Sequence, residues 1–165
     1  MSWLDLSTLL QDYLLLKTAH ILSATFLWGT GVGTAFFMLL AHLRGDNATI
    51  RTTTRHVVLA DWCFTLPSII VQPLTGLLLM RILHVSLQSH WFLVVLALYL
   101  LVCLCWLPVV WIQLHLRNLA QALSPDDALP PAYRCWFIIW VLLGIPAALA
   151  MLALFVLMVY KPWMS

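Results

Sequence analysis

Along the chain, long apolar stretches alternate with short polar ones, and four of the apolar stretches, residues 13–43, 56–83, 91–117 and 135–160, are long enough to matter. Each exceeds the roughly 20 apolar residues that an α-helix needs to cross a ~30 Å hydrocarbon layer. The pattern predicts an all-α protein, a single-domain four-helix transmembrane bundle, with up-down-up-down connectivity as the economical arrangement for short loops. Between the first two stretches lies RGDNATIRTTTR, in which Gly45, Asp46 and Asn47 mark a turn and Arg44, Arg51 and Arg55 a basic loop. HVSLQSH forms the second loop. The third is NLAQALSPDDALPPAYR, closed by Pro125, Pro130 and Pro131.

The polar positions inside these stretches carry the next layer of information. At 100° per residue, Asp61, Thr65, Ser68, Gln72 and Thr75 fall within roughly 40° of one line on the second span, with Gly76 beside them. Pro67 and Pro73 interrupt the same span and should bend it unless neighbours satisfy the freed carbonyls. On the third span Tyr99, Trp106 and Gln113 are a heptad apart and share a face. With the two spans antiparallel, Gln113 comes level with Asp61 as a hydrogen-bond pair, and Tyr99 comes level with Thr75, Gly76 and His20. The first span places His20, Ala24, Leu27, Gly31, Thr34 and Met38 on one face. The small residues below His20 leave room for a neighbouring helix or for a flat ring laid against the backbone, while Gly29 and Gly33 on another part of the surface, like Gly144 and Ala148 on the fourth span, are spaced for close helix packing.

Composition agrees with a membrane protein: 64% of the 165 residues are hydrophobic and 8% charged. A net charge of +2 excludes a nucleic-acid-binding role. Arg44, Arg51, Arg55, Arg117 and Arg134 flank one side, against Lys17, Arg81 and Lys161 on the other, which puts the first and third loops in the cytoplasm and both termini outside. Trp3, Trp91 and Trp163 then mark an outer aromatic belt, and His42, His56, His115, His84 and His90 take interfacial positions. Cys63, Cys103, Cys105 and Cys135 lie in apolar segments and imply no disulfide framework. The amino-terminal residues lack the basic opening of a secretory signal. Asn47-Ala48-Thr49 matches a glycosylation sequon by chance, being on the cytoplasmic side.

Ionisable groups inside a span need a partner or a task. His20 has three readings: an interhelical hydrogen-bonder, a haem or metal ligand, or a proton-transfer group. Lys17, one turn earlier, either snorkels to the interface or meets an anionic group. The stripe from Asp61 to Thr75 is either helix-to-helix glue, with Gln72 bonding a neighbour, or the lining of a cofactor cleft or proton path.

KTAHILSATFLWGTGVGTAFF, ADWCFTLPSIIVQPLTGLLL and WLPVVWIQLHLR resemble the bacterial integral-membrane family catalogued as domain of unknown function 2269. That resemblance implies a four-helix protein of the bacterial inner membrane with no assigned activity, and the arginine distribution then makes both termini periplasmic. Lys17, His20, Trp28 and Gly29 are also similar to the first helix of the HemJ-type protoporphyrinogen oxidases and CopD-type membrane domains. The similarity implies His20 as a ligand of haem b. Gly31 to Phe37 lacks the Pro-Arg pair of that helix, so haem binding rather than porphyrinogen oxidation is what carries over. On this reading the chain is a small membrane redox protein with His20 as axial ligand, Lys17 as anion partner, Tyr99 as local hydrogen-bonder, and a membrane redox partner or a second copy beside it. The alternatives are a non-enzymatic membrane subunit or assembly factor, and an oligomeric transporter.

Overall fold

A computed structural model describes residues 3–124 and 127–161, with side chains from residue 10 onward. Pro125, Trp163 and the side chain of Trp3 lie outside the described residues. The helices are α1 (Trp3–Arg44), α2 (Asn47–Ala60), α3 (Leu66–Ile82), α4 (His90–Gln121) and α5 (Pro131–Tyr160), with no strand among the described residues. Four stretches are apolar and long enough to cross a membrane, α2 and α3 together making the second.

α1 ends at Gly45, whose φ of +70° is the left-handed conformation that closes helices. One residue later Asp46 caps α2: its carboxylate accepts the N–H of Ala48 at 3.2 Å and of Thr49 at 3.0 Å, and the Thr49 hydroxyl donates to it as well. The expected basic loop over residues 44–55 is therefore mostly helix, and Arg51 and Arg55 stand on a helical face. Hydropathy misses this because the segment is rich in Thr and Arg. What builds the helix is the cap together with the buried positions Ile50, Thr54, Val57 and Val58.

The exposed Asp46 carboxyl is held below the usual carboxylate range, first by the Thr49 hydroxyl and then by the Thr49 and Ala48 N–H groups. A depressed folded-state pKa means that the cap contributes fully above the unfolded value and is lost as pH falls through the folded one. Acidification should thus fray the start of α2, seen as faster amide exchange at Ala48 and Thr49. Asp46→Asn, a cap without a titratable group, should remove that pH dependence.

The second span is not one regular helix. Between α2 and α3, Asp61–Thr65 forms a π-helical turn in which the Leu66 N–H returns to the Asp61 carbonyl. Pro67 gives the physical reason, since it has no N–H for the Cys63 carbonyl and its ring crowds that turn. A π turn has about 4.4 residues rather than 3.6, so the helix face beyond it is rotated by roughly 90° from a continuous α-helix. The stripe from Asp61 to Thr75 still points inward, with Asp61, Thr65, Ser68 and Thr75 buried. It is divided into two halves that address different neighbours.

α4 opens on Ser89, whose hydroxyl accepts the Phe92 N–H at 3.3 Å, and α5 opens with Pro131 in the first turn, where a missing N–H costs nothing. One apolar cluster at the arginine-rich end joins Met38, Ala41, Ile50, Ile112, Leu116, Ala120, Tyr133 and Trp140. A second, toward the other end, joins Leu27, Ile69, Val102, Ala150 and Met151. The Asn47 amide donates to the carbonyls of Ser124 at 2.9 Å and Asp127 at 2.8 Å, tying the first and third loops together at the arginine-rich end. Trp91, at the start of α4, is buried and donates its indole N–H to the Leu157 carbonyl at 3.0 Å, which fastens α4 to α5 at that end.

The glycines correct another expectation. A Cβ built on Gly29, Gly31, Gly33 or Gly144 would meet nothing within 4 Å, so these residues mediate no close approach among the described residues. Close approach occurs at Gly76 instead, where a Cβ would lie 3.3 Å from His20 Cε1.

Candidate functional site

α1 and α3 are joined by a polar seam built from residues on their facing sides. His20 rests on Gly76 and its Nδ1 lies 2.8 Å from the Thr75 hydroxyl. One turn along, the Ser23 hydroxyl donates to Gln72 Oε1 at 2.7 Å and also lies 3.0 Å from the His20 carbonyl. The Thr75 hydroxyl has a single hydrogen, and it is directed to the Val71 carbonyl at 2.7 Å. With that hydrogen on Val71, the Thr75 oxygen is open to accept from His20 Nδ1, the tautomer that keeps a lone pair on Nε2. That is the orientation a metal-ligating histidine takes, with its second nitrogen held by an oxygen. Among the described residues Nε2 has no hydrogen bond, yet His20 lines neither a groove of about 930 Å³ nor one of about 700 Å³ elsewhere on the molecule.

The other half of the stripe faces α4. Asp61 is only 7% exposed, and its Oδ1 accepts the Thr65 hydroxyl at 2.7 Å. Its Oδ2 has no hydrogen-bond partner among the described residues. Asp61 and Gln113 line the same cavity of about 40 Å³, together with Trp62 and Trp106, so the expected neighbours are brought together. The Trp106 indole N–H is buried and likewise without a partner. The space is that of about one water molecule, which two orphaned polar atoms and an amide suit.

Tyr99 makes no described hydrogen bond to Thr75 or His20. Its hydroxyl donates to the Ile69 carbonyl at 2.5 Å. Ile69 is four residues before Pro73, so its carbonyl is the one that Pro73 deprives of a helical donor. Tyr99 supplies from α4 the hydrogen bond that α3 cannot make for itself, the repair that helices in lipid require. The sequence held both halves of this arrangement, but the rotation introduced at the π turn hides which carbonyl the tyrosine meets.

Lys17 is exposed, 5.7 Å above the ring of Tyr13, and has no described contact with His20. His42, in the last turn of α1, stacks its ring on Phe137 at 3.6 Å, and its Nδ1 donates to the Met38 carbonyl at 2.6 Å. His115 stacks on Trp111 at 5.5 Å, and His56 lines a groove of about 700 Å³ beside Gly29 and Gly33. Cys105 is buried, and all four cysteines are free thiols. No group of three or more His, Cys, Asp or Glu side chains converges to hold a metal ion among the described residues. Reasoning from sequence missed the Asn47 tether, whose available signal was the Asp-Asn pair after Gly45.

No curated protein and no solved structure shows significant similarity to the chain. The family described as predicted integral membrane protein, domain of unknown function 2269, matches residues 14–162, and the chain belongs to that family.

Proposed function

We propose that this is a non-enzymatic multi-pass subunit or assembly factor of the bacterial inner membrane, threaded up-down-up-down with both termini periplasmic. The observation that supports it is how the intramembrane polar groups are occupied. His20, Ser23, Gln72 and Thr75 bond one another across α1 and α3, and Tyr99 completes the backbone of α3. Side chains engaged in this way hold helices together where no hydrophobic force between helices operates. The arginines gathered beside the first and third loops support the orientation. The test is a paired one: His20→Ala and Asp61→Asn should lower thermal stability and recovery of co-purifying membrane partners, with no change in any visible absorption. Normal stability and partner recovery in both variants would contradict the reading.

A second reading keeps His20 as an axial ligand of haem b, with Lys17 toward an anionic substituent. It is favoured by the Nδ1–H to Thr75 bond, which leaves Nε2 as a donor atom of the right kind. The ring lies packed on Gly76 and lines neither the groove of about 930 Å³ nor that of about 700 Å³, so the donor atom, rather than a formed cavity, is what supports this reading. Protein purified from haem-replete cells decides between the two. A Soret band lost in His20→Ala supports the second reading, and no band, or one unchanged in the variant, removes it.

A further inference from the structure

The helix that replaces the expected basic loop builds a feature that neither reading uses. Ala48, Arg51, Thr52, Arg55, Val58, Leu59 and Trp62 succeed one another at helical spacing along α2 and the π turn. Arg117 and Gln121 face them from α4 across an open groove of about 930 Å³. Three guanidinium groups line this groove and, among the described residues, no carboxylate does. The Arg51 side chain is steadied by the Leu123 carbonyl at 3.4 Å, and that of Arg117 by the Asn118 amide oxygen at 3.1 Å, both neutral acceptors that leave the charge uncompensated. Arg55 is exposed and makes no described hydrogen bond. Like charges gathered without a counter-ion repel one another, and an anion bound among them relieves that repulsion.

The groove is also polarised along its length. At one end are the arginines, Thr52 and Gln121. At the other Leu59 and Trp62, 59% and 55% exposed, continue directly into the apolar outer surface of the second span. A soluble anion would use only the first end. We propose that this groove binds the phosphate headgroup of an anionic phospholipid, with Arg51, Arg55 and Arg117 on the phosphodiester oxygens and the acyl chains passing over Leu59 and Trp62. Guanidinium groups suit that role because their fixed fork matches two phosphate oxygens at once. Basic pockets between helices at the cytoplasmic boundary of a membrane are the setting in which such headgroups are held.

The test uses the full chain in detergent, titrated with phosphatidylglycerol or phosphatidylcholine of matched acyl chains and read by native mass spectrometry. A roughly ten- to hundredfold preference for phosphatidylglycerol is expected from three arginines near the surface. It should collapse in the Arg51→Gln, Arg55→Gln, Arg117→Gln triple variant and weaken in Arg55→Gln alone, a change at an exposed side chain that keeps the test sound if the triple variant does not fold. Equal retention of both lipids, or a preference unchanged in Arg55→Gln, would overturn the proposal. So would millimolar inorganic phosphate displacing phosphatidylglycerol completely, since that would make the groove a site for soluble anions.

Discussion

Gly76→Leu is expected to separate α1 from α3 and to cost about 2–4 kcal/mol, enough to deplete folded protein in the membrane. His20 Cε1 is 3.3 Å from where the first carbon of a new side chain would stand, so even Gly76→Ala needs a shift of a few tenths of an ångström. Leucine adds three further carbons in the same direction, and overpacking of that kind costs about 1–3 kcal/mol. Displacing the imidazole also breaks its bond to Thr75, a contact of a class worth about 0.6–1.7 kcal/mol in a bilayer. The comparison that gives this meaning is Gly29→Ala, where the new carbon meets nothing within 4 Å. Gly29→Ala should be neutral or stabilising, by up to about 1 kcal/mol, through helix propensity alone. Thermal unfolding monitored by circular dichroism in detergent would check both. A destabilised Gly29→Ala beside a tolerant Gly76→Leu would mean that the helices are packed through the G-x-x-x-G face instead.

The second large effect is expected at Tyr133, which is wholly buried in the cluster at the arginine-rich end, with the His42 ring stacked 5.3 Å away. Removing an aromatic ring from such a site leaves a cavity, and Tyr133→Ala should cost about 3–5 kcal/mol. The hydroxyl contributes in the opposite sense, because it is buried without a hydrogen-bond partner among the described residues. Tyr133→Phe keeps the ring, removes an unsatisfied polar group and should be neutral or stabilising. Equilibrium unfolding of the two variants separates these contributions. If Tyr133→Phe proved as damaging as Tyr133→Ala, the hydroxyl would have to hold a bound water or partner.

The four spans were legible because transmembrane length and apolar composition are one-dimensional properties, and the inward stripe on the second span was legible because helical spacing is periodic. The start of that span was not, since Asn47 to Arg55 is polar in composition and is held as helix by a carboxylate cap and a few buried positions. Periodicity also fails at Asp61–Thr65, where a π turn rotates α3 relative to α2. Asp61, which opens that turn, lines one cavity with Gln113 as the antiparallel register places it, whereas the Ile69 carbonyl that Tyr99 meets lies beyond the turn. The glycines misled for a different reason. Spacing says that a helix could approach them, and only packing says whether one does.

That the polar side chains within the spans complete hydrogen bonds between and within helices is tested most directly at Tyr99 and Pro73. Tyr99→Phe should cost about 1–2 kcal/mol in the native background, because the Ile69 carbonyl is then left without a donor. In a Pro73→Ala background the new N–H of residue 73 can serve that carbonyl, and the same Tyr99→Phe change should cost close to nothing. Unfolding free energies of the two single variants and the double variant give the coupling. Strong non-additivity of this sign is the predicted result, and an equal cost of Tyr99→Phe in both backgrounds would contradict the account.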